Sequence, residues 1–175
     1  MLIAKWNERL VYAAFTPEDE VDTDLIAFET FQRTFPKANL QPMPNDDHSN
    51  LSDKLFELCA GFSQALPCLM IGTPFQIDVW RAVQEIPYGQ TATYKDIAIR
   101  IGRPAAIRAV GVAVGANLLA LTVPCHRVIG SNGAMTGYRW GLARKRDILE
   151  YEQSSLRNIN CIASLPRQST MEYPI

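Results

Sequence analysis

The chain lacks what most metal, membrane and secreted proteins carry. It has two histidines in 175 residues, His48 and His126. Its four cysteines, Cys59, Cys68, Cys125 and Cys161, contain no CxxC pair. A zinc site is not expected from such a set. The N-terminus carries Lys5, Glu8 and Arg9 in place of an apolar signal core, so no secretory signal is expected. The thiols are then expected to be reduced, in a cytoplasmic setting. There is no long hydrophobic run: the uncharged stretch from Ala109 to Val123 contains Gly111, Gly115 and Asn117 and ends at Pro124, short of the roughly 20 residues a membrane span needs.

What is present is an ordinary globular composition, 47% apolar and 20% charged, long enough for one domain or two small ones. The net charge of -1 is unevenly spread. Residues 1–72 carry a net -6 and residues 73–175 a net +5. This is either a coincidence of surface composition or the mark of a polyanion-binding C-terminal half beside an acidic unit that does not touch the polyanion.

Leu2-Ile3-Ala4 and Leu10 to Phe15 read as strands around a turn at Asn7-Glu8-Arg9. Leu25, Phe28, Phe31 and Phe35 fall at helical spacing before Pro36. Gln41 to Asn50 reads as a loop and Leu51 to Leu66 as a second helix. Residues 1–70 thus form a small α/β unit without visible chemistry, in which His48 and Cys59 are ordinary surface and core residues. Gly72-Thr73-Pro74 is the boundary. Thr73 caps a helix whose apolar face is Phe75, Val79, Val83 and Ile86. After Pro87-Tyr88-Gly89, Thr93 caps the next helix, with Asp96 in a capping-box position and Tyr94, Ile97, Ala98 and Ile101 facing inward. Gly102-Arg103-Pro104 leads into a third, Ala105 to about Gly115, with Ile107, Val110 and Val114 toward the core and Ala105, Arg108, Ala109 and Val112 outward. Two short helices joined by a tight turn fit a helix-turn-helix, or a plain antiparallel pair. The apolar run Leu118 to Val123 reads as a buried strand or extended segment that delivers Cys125 to a turn. A final amphipathic helix runs from Leu142 to about Gln153, and residues 154–175 form a polar, mobile tail in which Cys161 is incidental.

A free thiol titrates near 8.5 and only the thiolate is a strong nucleophile. His126, next to Cys125, is a candidate base, and Glu152 on the last helix a candidate to orient it, in the logic of a Cys-His-Glu relay. A lone Cys-His dipeptide carries no meaning by itself, and a cysteine hydrolase would also need an oxyanion hole.

The order of motifs over residues 72–152 closely resembles the O6-alkylguanine-DNA alkyltransferases, also called methylated-DNA–protein-cysteine methyltransferases. The matches are Gly72-Thr73-Pro74-Phe75-Gln76, Val79-Trp80, Ile86-Pro87-Tyr88-Gly89, Thr93-Tyr94, Arg108-Ala109-Val110-Gly111, Asn117, Pro124-Cys125-His126-Arg127-Val128-Ile129, Gly137-Tyr138 and Lys145. The resemblance implies an α+β fold: a small N-terminal ribonuclease H-like α/β domain (1–70), then a mainly helical winged helix-turn-helix-like domain (72–153), then the tail (154–175). It implies direct, single-turnover transfer of an alkyl group from guanine O6, and possibly from O4-alkylthymine, in double-stranded DNA onto Cys125. No cofactor or metal is implied, and the chain is expected to be a monomer away from membranes.

By the same resemblance, His126 draws the thiol proton through a water with Glu152 behind it. Asn117 ties the helix pair to the active-site segment, and Tyr94 helps neutralise the leaving guanine. Arg108 fills the duplex in place of the flipped nucleotide, with Ala109, Thr93 and Arg127 on the DNA-binding surface. Tyr138, Arg139, Trp140 and Val128 line the base pocket, and Lys145 supports it. Two positions depart from the commonest pattern. Leu118 follows Asn117 where many members have proline, and Arg139-Trp140-Gly141 follows Tyr138 where many have a small residue and two glycines. Both resemble the C-terminal domain of the bacterial adaptive-response alkyltransferase, and the bulk of Trp140 bears on the alkyl size admitted. The alternatives are a non-catalytic module that binds alkylated DNA or regulates transcription, and a hydrolase that turns over repeatedly.

Overall fold

The computed structural model describes residues 1–16, 23–39, 41, 50, 51, 53–55, 57 and 66–163, with backbone alone at 23–25 and 156–163. The expected tail from residue 164 onward, the side chains of His48, Cys59 and Cys161, and most of the 41–50 loop lie outside the described residues. So does most of the expected second helix, Leu51 to Leu66, which is helical at residues 51, 53–55 and 57 but not at its expected end, Leu66.

The architecture mixes helix and strand, as an α+β reading requires. Strands β1 (Leu2–Trp6) and β2 (Arg9–Ala14) form an antiparallel hairpin. Its turn contains no glycine. Asn7 and Glu8 both take left-handed φ, 47° and 60°, the geometry whose twist matches a two-residue hairpin. Helix α1 (Thr23–Thr34) packs Phe31 edge-on against Tyr12 of β2, ring centroids 5.1 Å apart.

The other edge of β2 is shared by two distant segments. Leu10 exchanges main-chain hydrogen bonds with Pro67 and Leu69, and Ala13 with Leu118 and Ala120. One strand therefore ties the N-terminal hairpin to the stretch that leads to Cys125.

Helix α2 (Pro74–Gln84) starts at a complete capping box between Thr73 and Gln76, and α3 (Tyr94–Arg100) at another between Thr93 and Asp96. Each box satisfies backbone donors that a helix start leaves orphaned. Val79, Val83, Ile86, Ile97 and Ala98 are buried as their spacing predicts. The Trp80 indole donates to the Ala113 carbonyl at 2.8 Å and joins α2 to α4 (Ile107–Gly115). Helix α4 begins at Ile107, two residues later than expected, because Arg103 to Ala106 close a turn: Ala106 N–H reaches the Arg103 carbonyl. Ile107 is consequently the first helical residue, overhangs the core and is 41% exposed, a correction to its expected inward placement. Val110 and Val114 are buried, and Arg108, Ala109 and Val112 face outward.

The apolar run Leu118 to Val123 is buried from Leu119 onward but is not a strand beyond the bridge at Leu119. Leu121 has φ 67°, and the Thr122 and Val123 N–H groups turn back onto the Ala120 and Leu119 carbonyls. The chain then makes one 3-10 turn, Cys125–Arg127, and a two-residue strand β4 (Val128–Ile129) parallel to β3 (Ala92–Thr93). The last helix, α5 (Leu142–Ala163), runs ten residues past the expected end at Gln153. No glycine or proline interrupts it before Pro166, so the two serines at 154 and 155 are carried through.

Candidate active site

The site is assembled from the 3-10 turn, Asn117 just past the C-cap of α4, and one stripe of α5. The Cys125 thiol is 4% exposed. Asn117, also buried, directs its amide Nδ2 at three acceptors: Cys125 Sγ at 3.1 Å, the Val123 carbonyl at 3.0 Å and the Leu119 carbonyl at 3.3 Å. Its Oδ1 accepts from the Leu119 N–H at 2.9 Å. One side chain thus closes the turn that places the sulfur and also donates to the sulfur.

His126 and Glu152 are completely enclosed, with Nε2 and Oε1 2.9 Å apart. The same carboxylate accepts from Arg127 Nε and Nη2, the latter at 2.8 Å, and from the Gly89 N–H at 3.0 Å. Arg127 Nη1 goes on to the Ile86 carbonyl at 2.9 Å, and its guanidinium lies over the Tyr88 ring. Arg127 is therefore a correction. Expected on the DNA-binding surface, it is 8% exposed and spends its donors on Glu152 and on the Ile86 carbonyl just past α2. A buried arginine needs such a partner, because its charge cannot be shed.

Lys145 is buried and donates from Nζ to the Val128 carbonyl at 2.6 Å. On α5, Lys145, Leu149 and Glu152 lie at helical spacing on the buried face. Two charged groups on the apolar stripe of an amphipathic helix are a signal legible in sequence. The partnership of Glu152 with Arg127 and Gly89 is not legible in the sequence, because nothing local announces contacts across 25 and 63 residues.

The electrostatics follow from this enclosure. Burial pushes the Cys125 thiol up to about 11, against the opposing pull of the Asn117 hydrogen bond and the Lys145 charge. Burial likewise lowers His126, although Glu152 opposes it, so the imidazole is neutral at pH 7. Burial pushes the Glu152 carboxyl upward, but its bonds to His126 and Arg127 outweigh that, and the group is held ionised below its ordinary value. Desolvation lowers Lys145, and the nearby thiol pulls the other way. With Nε2 donating to an ionised carboxylate, Nδ1 carries the imidazole lone pair. Nδ1 is buried and accepts from no described group.

The remaining expected residues sit around this centre. Val128 is fully buried. Tyr138 and Trp140 are half-buried, with ring centroids 5.3 Å apart, and Arg139 is exposed. Tyr94 donates its hydroxyl to the Thr136 carbonyl at 3.0 Å, joining the start of α3 to the segment before Tyr138. Thr93 is occupied as the cap of α3. Arg108 and Ala109 lie on the exposed face of α4, away from the capped and buried groups.

Comparison with known proteins gives a consistent outcome. A family model described as the DNA binding domain of 6-O-methylguanine DNA methyltransferase matches residues 74–154. The inducible methylated-DNA–protein-cysteine methyltransferase of Bacillus subtilis is 57% identical over 88 residues, 50% of this chain and 49% of that protein. The methylated-DNA–protein-cysteine methyltransferase of Shigella flexneri is 50% identical over 121 residues, 67% of this chain and 71% of that one. A crystal structure of Mycobacterium tuberculosis OGT in complex with DNA superposes with a TM-score of 0.70 at 36% identity, covering 87% of this chain and 86% of that one. The chain spans about half the length of the Bacillus subtilis relative, and of the Methanosarcina barkeri one. Identity at this level, over two thirds of both chains in the Shigella flexneri match, places this chain in the methylated-DNA–protein-cysteine methyltransferase family.

Proposed function

We propose that this protein repairs alkylated double-stranded DNA by moving the alkyl group from guanine O6 to its own Cys125, once per molecule. The observation that carries the reading is the single hydrogen-bonded unit of Asn117 and Cys125, beside a neutral His126 held by an ionised Glu152. The names of the relatives, and the complex of one neighbour with DNA, support it.

An alkyl group on O6 is buried in the base stack, so the nucleotide must leave the helix, at a cost of a few kcal/mol. Arg108, exposed on α4 among small residues, fills the vacancy and offsets that cost. Ala109 beside it allows close approach, and the cap at Thr93 fixes the start of α3. Tyr138, Arg139, Trp140 and Val128 line the base pocket. Sγ of Cys125 attacks the alkyl carbon, an S–C bond forms, the C–O bond breaks, and guanine leaves with the electron pair. The thiol proton passes through a water toward His126 Nδ1, and the Tyr94 hydroxyl turns its proton from the Thr136 carbonyl to the departing base. A displacement at saturated carbon needs no oxyanion hole and no diffusible cofactor, only a thiolate, a fixed line of attack and a donor for the leaving group. At neutral pH a thiol titrating near 11 is protonated, so the nucleophile forms as the base arrives.

The finer expectations belong to the same reading. They are a ribonuclease H-like N-terminal unit (1–70) ahead of a winged helix-turn-helix-like domain, a monomer, and a cytoplasmic location. Among the described residues no helix is long and apolar enough to cross a membrane.

The test is intact-mass measurement after incubation with an O6-methylguanine duplex. One added methyl per chain is expected, mapped to Cys125, and none in Cys125→Ala, which should still bind the duplex. Transfer persisting in that variant, or binding without any mass gain in the native chain, would reject the reading. Continued turnover would point to a hydrolase.

A further inference from the structure

Tyr138 and Trp140 stand on a segment with little main-chain support. It runs between Gly137 and Gly141, both at left-handed φ, 53° and 95°, and belongs to no strand or helix. Its internal tie is one hydrogen bond, Gly141 N–H to the Tyr138 carbonyl at 3.1 Å. Such a stretch can swing about its glycines unless side chains fix it.

The side chains that fix it are Phe15, from the opposite end of the sequence, and Arg144, on the first turn of α5. The Phe15 ring, just past β2, meets the Trp140 ring edge-on at 6.0 Å, and Trp140 meets Tyr138 edge-on at 5.3 Å. The Arg144 guanidinium lies 4.7 Å above the Phe15 ring. Its Nη1 donates to the Trp140 carbonyl at 3.2 Å and its Nη2 to the Thr16 carbonyl at 3.3 Å. Edge-to-face rings and a cation over a ring hold both distance and angle, which plain apolar contact does not. The Trp140 side chain is thus held against Phe15, and its main chain is tied through Arg144 to Phe15 and Thr16, just past β2.

We infer that Phe15 and Arg144 are positioning residues that set the width of the alkyl-accepting pocket, making the N-terminal hairpin a determinant of adduct size. The inference rests on the reading above that Tyr138 and Trp140 line the pocket. With the clamp intact, Trp140 cannot retreat, and a bulky alkyl group meets a fixed indole wall. With the clamp cut, the glycine-flanked segment yields, and large groups gain access that a methyl group never needed.

The experiment compares second-order rates of Cys125 alkylation by O6-methylguanine duplex and by O6-benzylguanine as free base, using intact mass, in the native chain, Phe15→Ala, Phe15→Tyr and Arg144→Gln. Phe15→Ala and Arg144→Gln should each raise the benzyl-to-methyl rate ratio about tenfold, the scale of discrimination one apolar wall supplies. Phe15→Tyr, which keeps the ring, should stay near the native ratio. The 1H–15N indole resonance of Trp140 should move in Phe15→Ala while that of Trp80, bonded to Ala113, stays. If Phe15→Ala does not fold, Arg144→Gln carries the same readouts. An unchanged ratio with an unmoved Trp140 resonance overturns the inference, and so does an equal fall in both rates. No alkylation of the native chain by the methylated duplex would instead reject the parent reading, and the Trp140 resonance would still report whether the clamp exists.

Discussion

Glu152 Oε1 and His126 Nε2 are 2.9 Å apart in a volume closed to solvent, and the same carboxylate neutralises Arg127. One acidic group therefore has two duties, orienting the imidazole and compensating a buried cation. Separating them is possible.

Glu152→Gln removes the charge and keeps the shape. The Arg127 guanidinium is then buried without a counter-charge, which costs about 3–5 kcal/mol. In the proposed mechanism, loss of the oriented, neutral base should lower the rate of alkyl transfer by about a hundredfold or more. The double variant Glu152→Gln with Arg127→Met should recover part of the lost stability in urea titration, since the unpaired cation is gone. It should recover none of the rate. Parallel recovery of both would mean that Glu152 acts through folding alone.

Asn117→Ala removes three donor contacts and the acceptor of the Leu119 N–H. The buried Leu119 N–H loses its acceptor, at about 1–3 kcal/mol before relaxation, while the Leu119 and Val123 carbonyls keep their bonds from the Val123 and Cys125 N–H groups. The thiol also loses the hydrogen bond that opposes its upward shift, so its titration, followed by thiolate absorbance, should move higher still. A Cys125 that titrates unchanged in this variant would show that the 3.1 Å contact carries no electrostatic weight.

Gly72 needs no special φ, yet a side chain there has no room. A Cβ would come within 2.7 and 2.8 Å of the Trp80 ring, whose indole is anchored to the Ala113 carbonyl. Gly72→Ala should therefore cost about 1–3 kcal/mol in chemical denaturation, as overpacking does. The alkylation rate per folded molecule should be unchanged, because Trp80 supports α4 and not the sulfur. A neutral effect on stability would mean that the start of α2 shifts freely.

Local signals in the sequence were dependable. Thr73 with Gln76 and Thr93 with Asp96 close within three residues, so both helix starts could be read directly. The pairing of His126 with Glu152 was also expected, from the logic of a Cys-His-Glu relay and from the family resemblance. Contacts decided by distant packing were not legible. Arg127 follows a reactive dipeptide and looks like a phosphate ligand until Ile86 and Glu152 are seen around it. The reversal at Leu121 was hidden because an aliphatic residue takes a left-handed φ there, with neither glycine nor asparagine to announce it. The clamp of Phe15 on Trp140 spans the whole fold and has no periodicity at all.

The pH dependence of alkyl transfer follows from the groups that must be neutral or ionised. In the proposed mechanism His126 acts as a base only while unprotonated. Its burial holds the folded value below the ordinary 6.5, so the rate should stay on its plateau through pH 6.5 and fall only at more acid pH. At the alkaline end the rate should climb again as the thiol itself ionises toward about 11. Stability has its own acid limb with the same sign. His126 and Glu152 are both lowered in the folded state, so the unfolded chain takes up their protons first. Stability is then lost as pH falls below 6.5 for the histidine, and again below the ordinary 4.5 for the glutamate until its folded value is passed. Thermal unfolding midpoints between pH 8 and 4, set beside single-turnover rates over the same range, should therefore show stability declining before the rate does. A rate that dropped at or above pH 6.5 would mean the imidazole is solvated in the working protein, contrary to its enclosure here.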